Sequence, residues 1–196
     1  NVIAGCGYYT SDTHPPGMGD RSVEDIADEL VRELTEGIDG TGIRAGVIGE
    51  IGTGNPIHPD ERTCLVAAAM ASRRTGAAVQ VHTYPWGRTG LEVVDILTTA
   101  GADPGRIVIC HTDVDIHRDY QLALLERGVF VQFDNFGKEF DIPPEDRAYA
   151  GGGFALGWRL EELGAIDEAV AAIGVDRSRF GFCLDTAHLW GAGYPI

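Results

Sequence analysis

Five times in this chain a short apolar run stops at a residue whose side chain can bind a metal or a proton. These are Glu50 in GVIGEIGTG, His82 in AAVQVHTY, His111 in RIVICHTD, Asp134 in VFVQFDNF and Asp185 in RFGFCLDT. A sixth run, NVIAGCGYY, opens the chain. Longer amphipathic stretches separate the runs, and that alternation is the pattern of parallel strands covered by helices. In such folds ligands bind where the strands end and the βα loops open, while the opposite edge is structural.

Helices are expected over 22–37, 59–75, 89–100, 115–127 and 155–173. The first opens on Ser22, with Asp25 three residues on as a relative of the capping box, and closes on Gly37. Repeated βα units with polar residues at one end of each strand predict a TIM-barrel (β/α)8-type α/β fold rather than an open doubly wound sheet. No G-x-G-x-x-G follows a strand, so a dinucleotide site has no support. A closed barrel needs eight strands and about 250 residues. Here 196 residues supply about six βα units, so the sequence predicts one barrel-type domain, 1–196, that is incomplete. The segment 135–153, with Pro143-Pro144 and glycines at 151–153, reads as a loop and as the boundary of the chain. Its glycines lack the following Lys-Ser/Thr of a phosphate loop, which makes them a flexible connection.

The balance of 30 acids against 15 bases, a net charge of −15, argues against a phosphate backbone or an anionic membrane as partner. Arg73 and Arg74 are the only adjacent bases, and no stretch approaches the roughly 18 apolar residues of a membrane span. The N-terminal residues carry no basic segment of a signal peptide. Cys6, Cys64, Cys110 and Cys183 show no C-x-x-C spacing, and the expectation is buried free thiols in a reducing, cytoplasmic compartment.

His82 and His111 end neighbouring strands, which predicts that both imidazoles enter one mouth. Neutral imidazole is the commonest protein ligand for zinc-like ions, and Glu50 and Asp185 add carboxylates at the same level. Up to two ions about 4 Å apart would supply a bridging hydroxide as nucleophile near neutral pH. Asp134 fits either a loop cap or a partner that orients a ligand histidine. His14 and His58, beside prolines, are expected at the surface, and His117, at a helix start, in solvent.

Residues 1–153 resemble the phosphotriesterase-related branch of the amidohydrolase superfamily. The matching stretches are EGIDGTGIRAGVIGEIGTG, AAAMASRRTGAAVQVHT, DPGRIVICHTD, and GVFVQFDNFGKEF followed by PPEDRAYAGG. The resemblance implies a (β/α)8 hydrolase with two divalent metals, Glu50 as the bridging carboxylate, and His82 and His111 as ligands of the second metal. The family's first metal takes an H-x-H pair, and this sequence contains no H-x-H.

Residues 154–196 resemble the endonuclease IV type of AP endonuclease, in LGWRLEEL, SRFGFCLDT with a following histidine, and WGAGY. That resemblance implies Asp185 and His188 as zinc ligands. A composite chain joined near 150–155 reconciles the two, with Asp185 at the position of the first family's last-strand aspartate. Three functions follow. The first is a metal-dependent hydrolase of small ester, lactone or phosphoester substrates, acting through a metal-bound hydroxide with Asp185 as the catalytic proton acceptor. The second is a zinc-dependent AP endonuclease, binding nucleic acid through the C-terminal segment. The third is an inactive incomplete barrel, stable as a homo-oligomer or within a longer chain.

Overall fold

A computed structural model describes residues 3–115 and 117–134, together with Glu168 and Ala172, which are helical. The expected sixth strand, most of the helix expected over 155–173, and both Asp185 and His188 lie outside the described residues. Five strands and four α-helices alternate along residues 3–134. They are β1 (Gly5–Cys6), α1 (Val23–Thr35), β2 (Val47–Gly52), α2 (Pro59–Thr75), β3 (Val79–His82), α3 (Gly90–Thr99), β4 (Ile107–Ile109), α4 (Arg118–Glu126) and β5 (Phe130–Val131).

All four strand pairs are parallel, and the spatial order β1-β2-β3-β4-β5 is the order of the chain. Parallel crossovers are right-handed, so strands laid down always in one direction put every helix on the same face. That is a barrel wall, singly wound. Ile48, Ile51, Val79, Val81, Ile107 and Ile109 are fully buried, and so are Ile26, Leu30, Leu65, Leu97 and Leu124 of the helices, in one core cluster. Each such side chain contributes about 1.5–3 kcal/mol by leaving water.

Local chemistry sets the helix starts. Ser22 Oγ accepts the Asp25 amide at 3.1 Å, as the sequence predicts. His58 Nδ1 accepts the Asp60 amide while Glu61 accepts that of His58, a capping box that Pro59 completes at the first helical position. α4 begins at Arg118 rather than at residue 115, because the Asp115 carboxylate takes the His117 amide at 2.8 Å and holds the loop out of the helix. Among the described residues, β1 pairs with β2 at Gly5 and Cys6, and the Ala4 and Tyr8 carbonyls flanking it accept the Gly46 and Gly52 amides.

Between β2 and β3 the register slips: Ile48 faces Val79, yet Ile51 faces Val81. One extra residue in β2 makes this a bulge. Gly49 permits it, since a Cβ there would stand 2.7 Å from the Gln80 carbonyl oxygen.

Candidate metal centre

Strand parity alone would not bring the expected ligands together. On β3, Val79 and Val81 are buried among the helices, so Gln80 and His82 face the other way. On β4, Ile107 and Ile109 are buried in the same layer, which gives Cys110 the parity of His82 and turns His111 away. His111 escapes this by adopting φ +61°, a left-handed conformation at the start of the turn that follows β4. Glu50 has the parity of buried Ile48, and the β2 bulge re-aims it in the same way.

Through these two irregularities, one ligand atom from each of Glu50, His82 and His111 falls within 4.8 Å of the others. His82 Nδ1 lies 2.6 Å from His111 Nε2 and 3.8 Å from Glu50 Oε2. The imidazoles meet edge to face, with centroids 4.4 Å apart. Two imidazole lone pairs at 2.6 Å repel unless a proton or a cation stands between them. The His82 side chain is 16% exposed and that of Glu50 34%, so the cluster is sheltered but reachable. This donor set, two imidazoles and a carboxylate, fits zinc or a similar divalent ion.

Tyr9, which the sequence does not single out, lies in the loop after β1 with its hydroxyl 3.0 Å from His82 Nε2 and 3.1 Å from its Nδ1. Burial, then the charges of Glu50 and Asp12, push its phenol above the usual value. Its place is fixed by the close approach of that loop to the end of β2. A Cβ on Gly52 would lie 2.4 Å from the Tyr9 carbonyl carbon, and the Gly52 amide donates to the Tyr8 carbonyl at 3.0 Å. His14 is half-buried rather than at the surface, with Nε2 2.8 Å from the Tyr9 carbonyl oxygen. His58 and His117 are exposed, as expected. Asp134 lies just past β5, part-buried.

Asp115 ties the loop after His82 to the loop after His111. Arg88 Nε donates to Asp115 Oδ2 at 2.7 Å, and His117 Nδ1 lies 2.9 Å from Oδ1. Burial works to raise the carboxyl of Asp115, and the His117 amide and Arg88 outweigh it, holding the group below its ordinary range. The signal for Tyr9 and Asp115 in the sequence is position only: each follows a strand end within a few residues.

The family model for the phosphotriesterase family matches residues 1–168. The chain belongs to the phosphotriesterase family. It is 35% identical over 178 residues to the phosphotriesterase homology protein of Escherichia coli (strain K12), across 90% of this chain and 59% of that protein. With N-acetyltaurine hydrolase of Danio rerio it shares 41% identity over 140 residues, 71% of this chain and 40% of that one. A crystal structure of the Escherichia coli phosphotriesterase homology protein, complexed with phosphate in its active site, superposes with a TM-score of 0.71 over 86% of this chain and 54% of that chain. The chain thus spans between two fifths and three fifths of these relatives. The family match runs past the join expected near 150–155, and none of these relatives is an AP endonuclease. Among the described residues of this family member, no helix is long and apolar enough to cross a membrane.

Proposed function

We propose that the chain is a metal-dependent hydrolase of small molecules in which Glu50, His82 and His111 hold a divalent cation, zinc by the chemistry of its donors. The observation that carries this reading is the convergence of three ligand atoms, from β2, the end of β3 and the segment just past β4, within 4.8 Å. A bound cation of this kind would polarise the carbonyl or phosphoryl oxygen of the substrate and would make water acidic enough to attack near neutral pH. The protein's own part is orientation. The Tyr9 hydroxyl at 3.0 Å fixes the His82 ring, and the left-handed turn at His111 sets the second imidazole against the first.

On the sequence resemblances alone, Asp185 is proposed as proton acceptor and metal ligand, and His188 as a further metal ligand. The bond cleaved is an ester, lactone or phosphoester. Relatives named for hydrolysing N-acetyltaurine put an N-acyl bond beside these. Buried free thiols at Cys6 and Cys64 suit a reducing, cytoplasmic setting.

Metal analysis of the purified 196-residue chain and of its His82→Ala and His188→Ala variants tests the proposal. H82A is expected to lose the bound metal, whereas H188A keeps at least one ion. Unchanged metal content in H82A, with complete loss in H188A, would overturn it.

A further inference from the structure

Each of the strands β2, β3 and β4 is followed within one to three residues by a buried threonine, and all three hydroxyls do the same thing. Thr53 Oγ1 donates to the His82 carbonyl at 3.0 Å, Thr83 Oγ1 to the Cys110 carbonyl at 3.0 Å, and Thr112 Oγ1 to the Gln132 carbonyl at 2.9 Å. Thr53, Thr83 and Thr112 are 0%, 3% and 1% exposed. Every bond crosses to the next strand of the sheet, at the edge where the metal donors gather.

The location of these bonds gives them a use beyond general stability. The β2–β3 ladder is interrupted by the bulge before Glu50 and resumes at Ile51–Val81 and Gly52–His82, while past β4 the chain leaves strand geometry at the left-handed turn of His111. Two of the three acceptors belong to the peptide units that carry ligands. Thr53 holds the carbonyl of His82 itself, also bonded by its own amide at 2.9 Å. Thr83 holds the carbonyl of Cys110, the other half of the peptide whose nitrogen belongs to His111. Fixing that plane fixes the axis about which the left-handed φ of His111 is set, and so where its imidazole stands relative to His82. A threonine suits the task, because its branched Cβ fits the end of a strand while its hydroxyl can rotate to donate.

We infer that Thr83, with Thr53 beside it, is a positioning residue that holds the two imidazoles at chelating separation. The inference rests on the metal site proposed above. Partners one shell out from a metal typically govern affinity by about 10–100-fold.

The test is zinc affinity, read by competition with a chromophoric chelator, together with the visible spectrum of the cobalt(II)-loaded protein. The full chain, T83V, T83S and S72A are compared. T83V keeps the shape of threonine and removes the hydroxyl; T83S keeps the hydroxyl. Ser72 donates from 2% exposure to the Ala77 carbonyl at 2.7 Å, at the other end of β3, so S72A loses a comparable buried bond remote from the donors. T83V is expected to bind zinc about tenfold or more weakly with an altered cobalt spectrum, while T83S and S72A keep the affinity and spectrum of the unsubstituted chain. Unchanged affinity in T83V, or an equal loss in S72A, would overturn the inference and leave the metal site standing. Failure of the unsubstituted chain to bind either metal would overturn the metal site and this inference with it.

Discussion

Glu61 is 1% exposed, yet its carboxylate accepts three backbone amides, from Ser11 and His58 at 2.9 and 2.8 Å and from Gly54 at 2.9 Å. It thereby ties the loop after β1, which carries Tyr9, to the loop after Glu50. Burial works to raise its pKa, and the three amides outweigh that and hold it below the ordinary value. The sign follows directly. A depressed carboxyl contributes stability above its unfolded pKa, near 4.3, and loses it as pH falls through the lower folded value. E61Q places an amide nitrogen against N–H donors, so it should destabilise the chain by about 1–3 kcal/mol at neutral pH. The gap between E61Q and the unsubstituted chain in urea unfolding should narrow as the solution is acidified below the carboxylate range; a constant gap would contradict the assignment. Burial, before nearby acids, pushes the Cys6 thiol up to about 12 and that of Cys64 up to about 11. Iodoacetamide at pH 8 should therefore leave both unlabelled in the native chain and label both in urea, read by peptide mass spectrometry.

At the level of strands and loops, the fold is set by close approaches that only glycine allows. A Cβ on Gly52 would meet the Thr10 nitrogen at 2.3 Å, backbone that cannot swing aside. G52A should cost about 1–3 kcal/mol or more, measured as a fall in the urea midpoint, and should loosen Tyr9 from His82. Much of this level was legible beforehand. The bounds of α2 match the expected 59–75, and His82 does end β3, whereas Glu50 lies two residues inside the end of β2 and His111 two residues past the end of β4. What sequence could not give was aim. Alternation along β2 and β4 assigns Glu50 and His111 to the helix-covered face, and only a bulge and a left-handed torsion reverse that assignment. Both depend on backbone contacts across strands, which periodicity does not encode. The threonines after the three strands were visible in EIGT, VHT and CHT, but their role needs the neighbouring carbonyls to be known.

For the molecule as a whole, net charge and bound metal are the two levers. With −15 charges on 196 residues, the chain should show no retention of abasic duplex DNA in a gel-shift assay at about 0.15 M salt, where phosphate binding depends on clustered cations. Salt-sensitive, tight binding would restore the endonuclease reading. Zinc at a hundred times its Kd should stabilise the fold by about 2.7 kcal/mol, a rise in Tm of about 5–10 °C. EDTA should reverse the rise, and H82A should abolish it.

The left-handed torsion of His111 has one more consequence, for which residues the position can hold. Few side chains both offer a coordinating atom and tolerate φ +61°; histidine, asparagine and aspartate lead the short alphabet of non-glycine residues found there. Alanine at this position would remove the imidazole and disturb the turn together, confusing two losses. Asparagine would keep the turn and exchange the imidazole for a carboxamide oxygen, a far poorer ligand for a zinc-like ion, so H111N separates the cost of the backbone from the value of the imidazole. The spelling of this position is thus restricted twice over, once by geometry and once by chemistry, and histidine satisfies both.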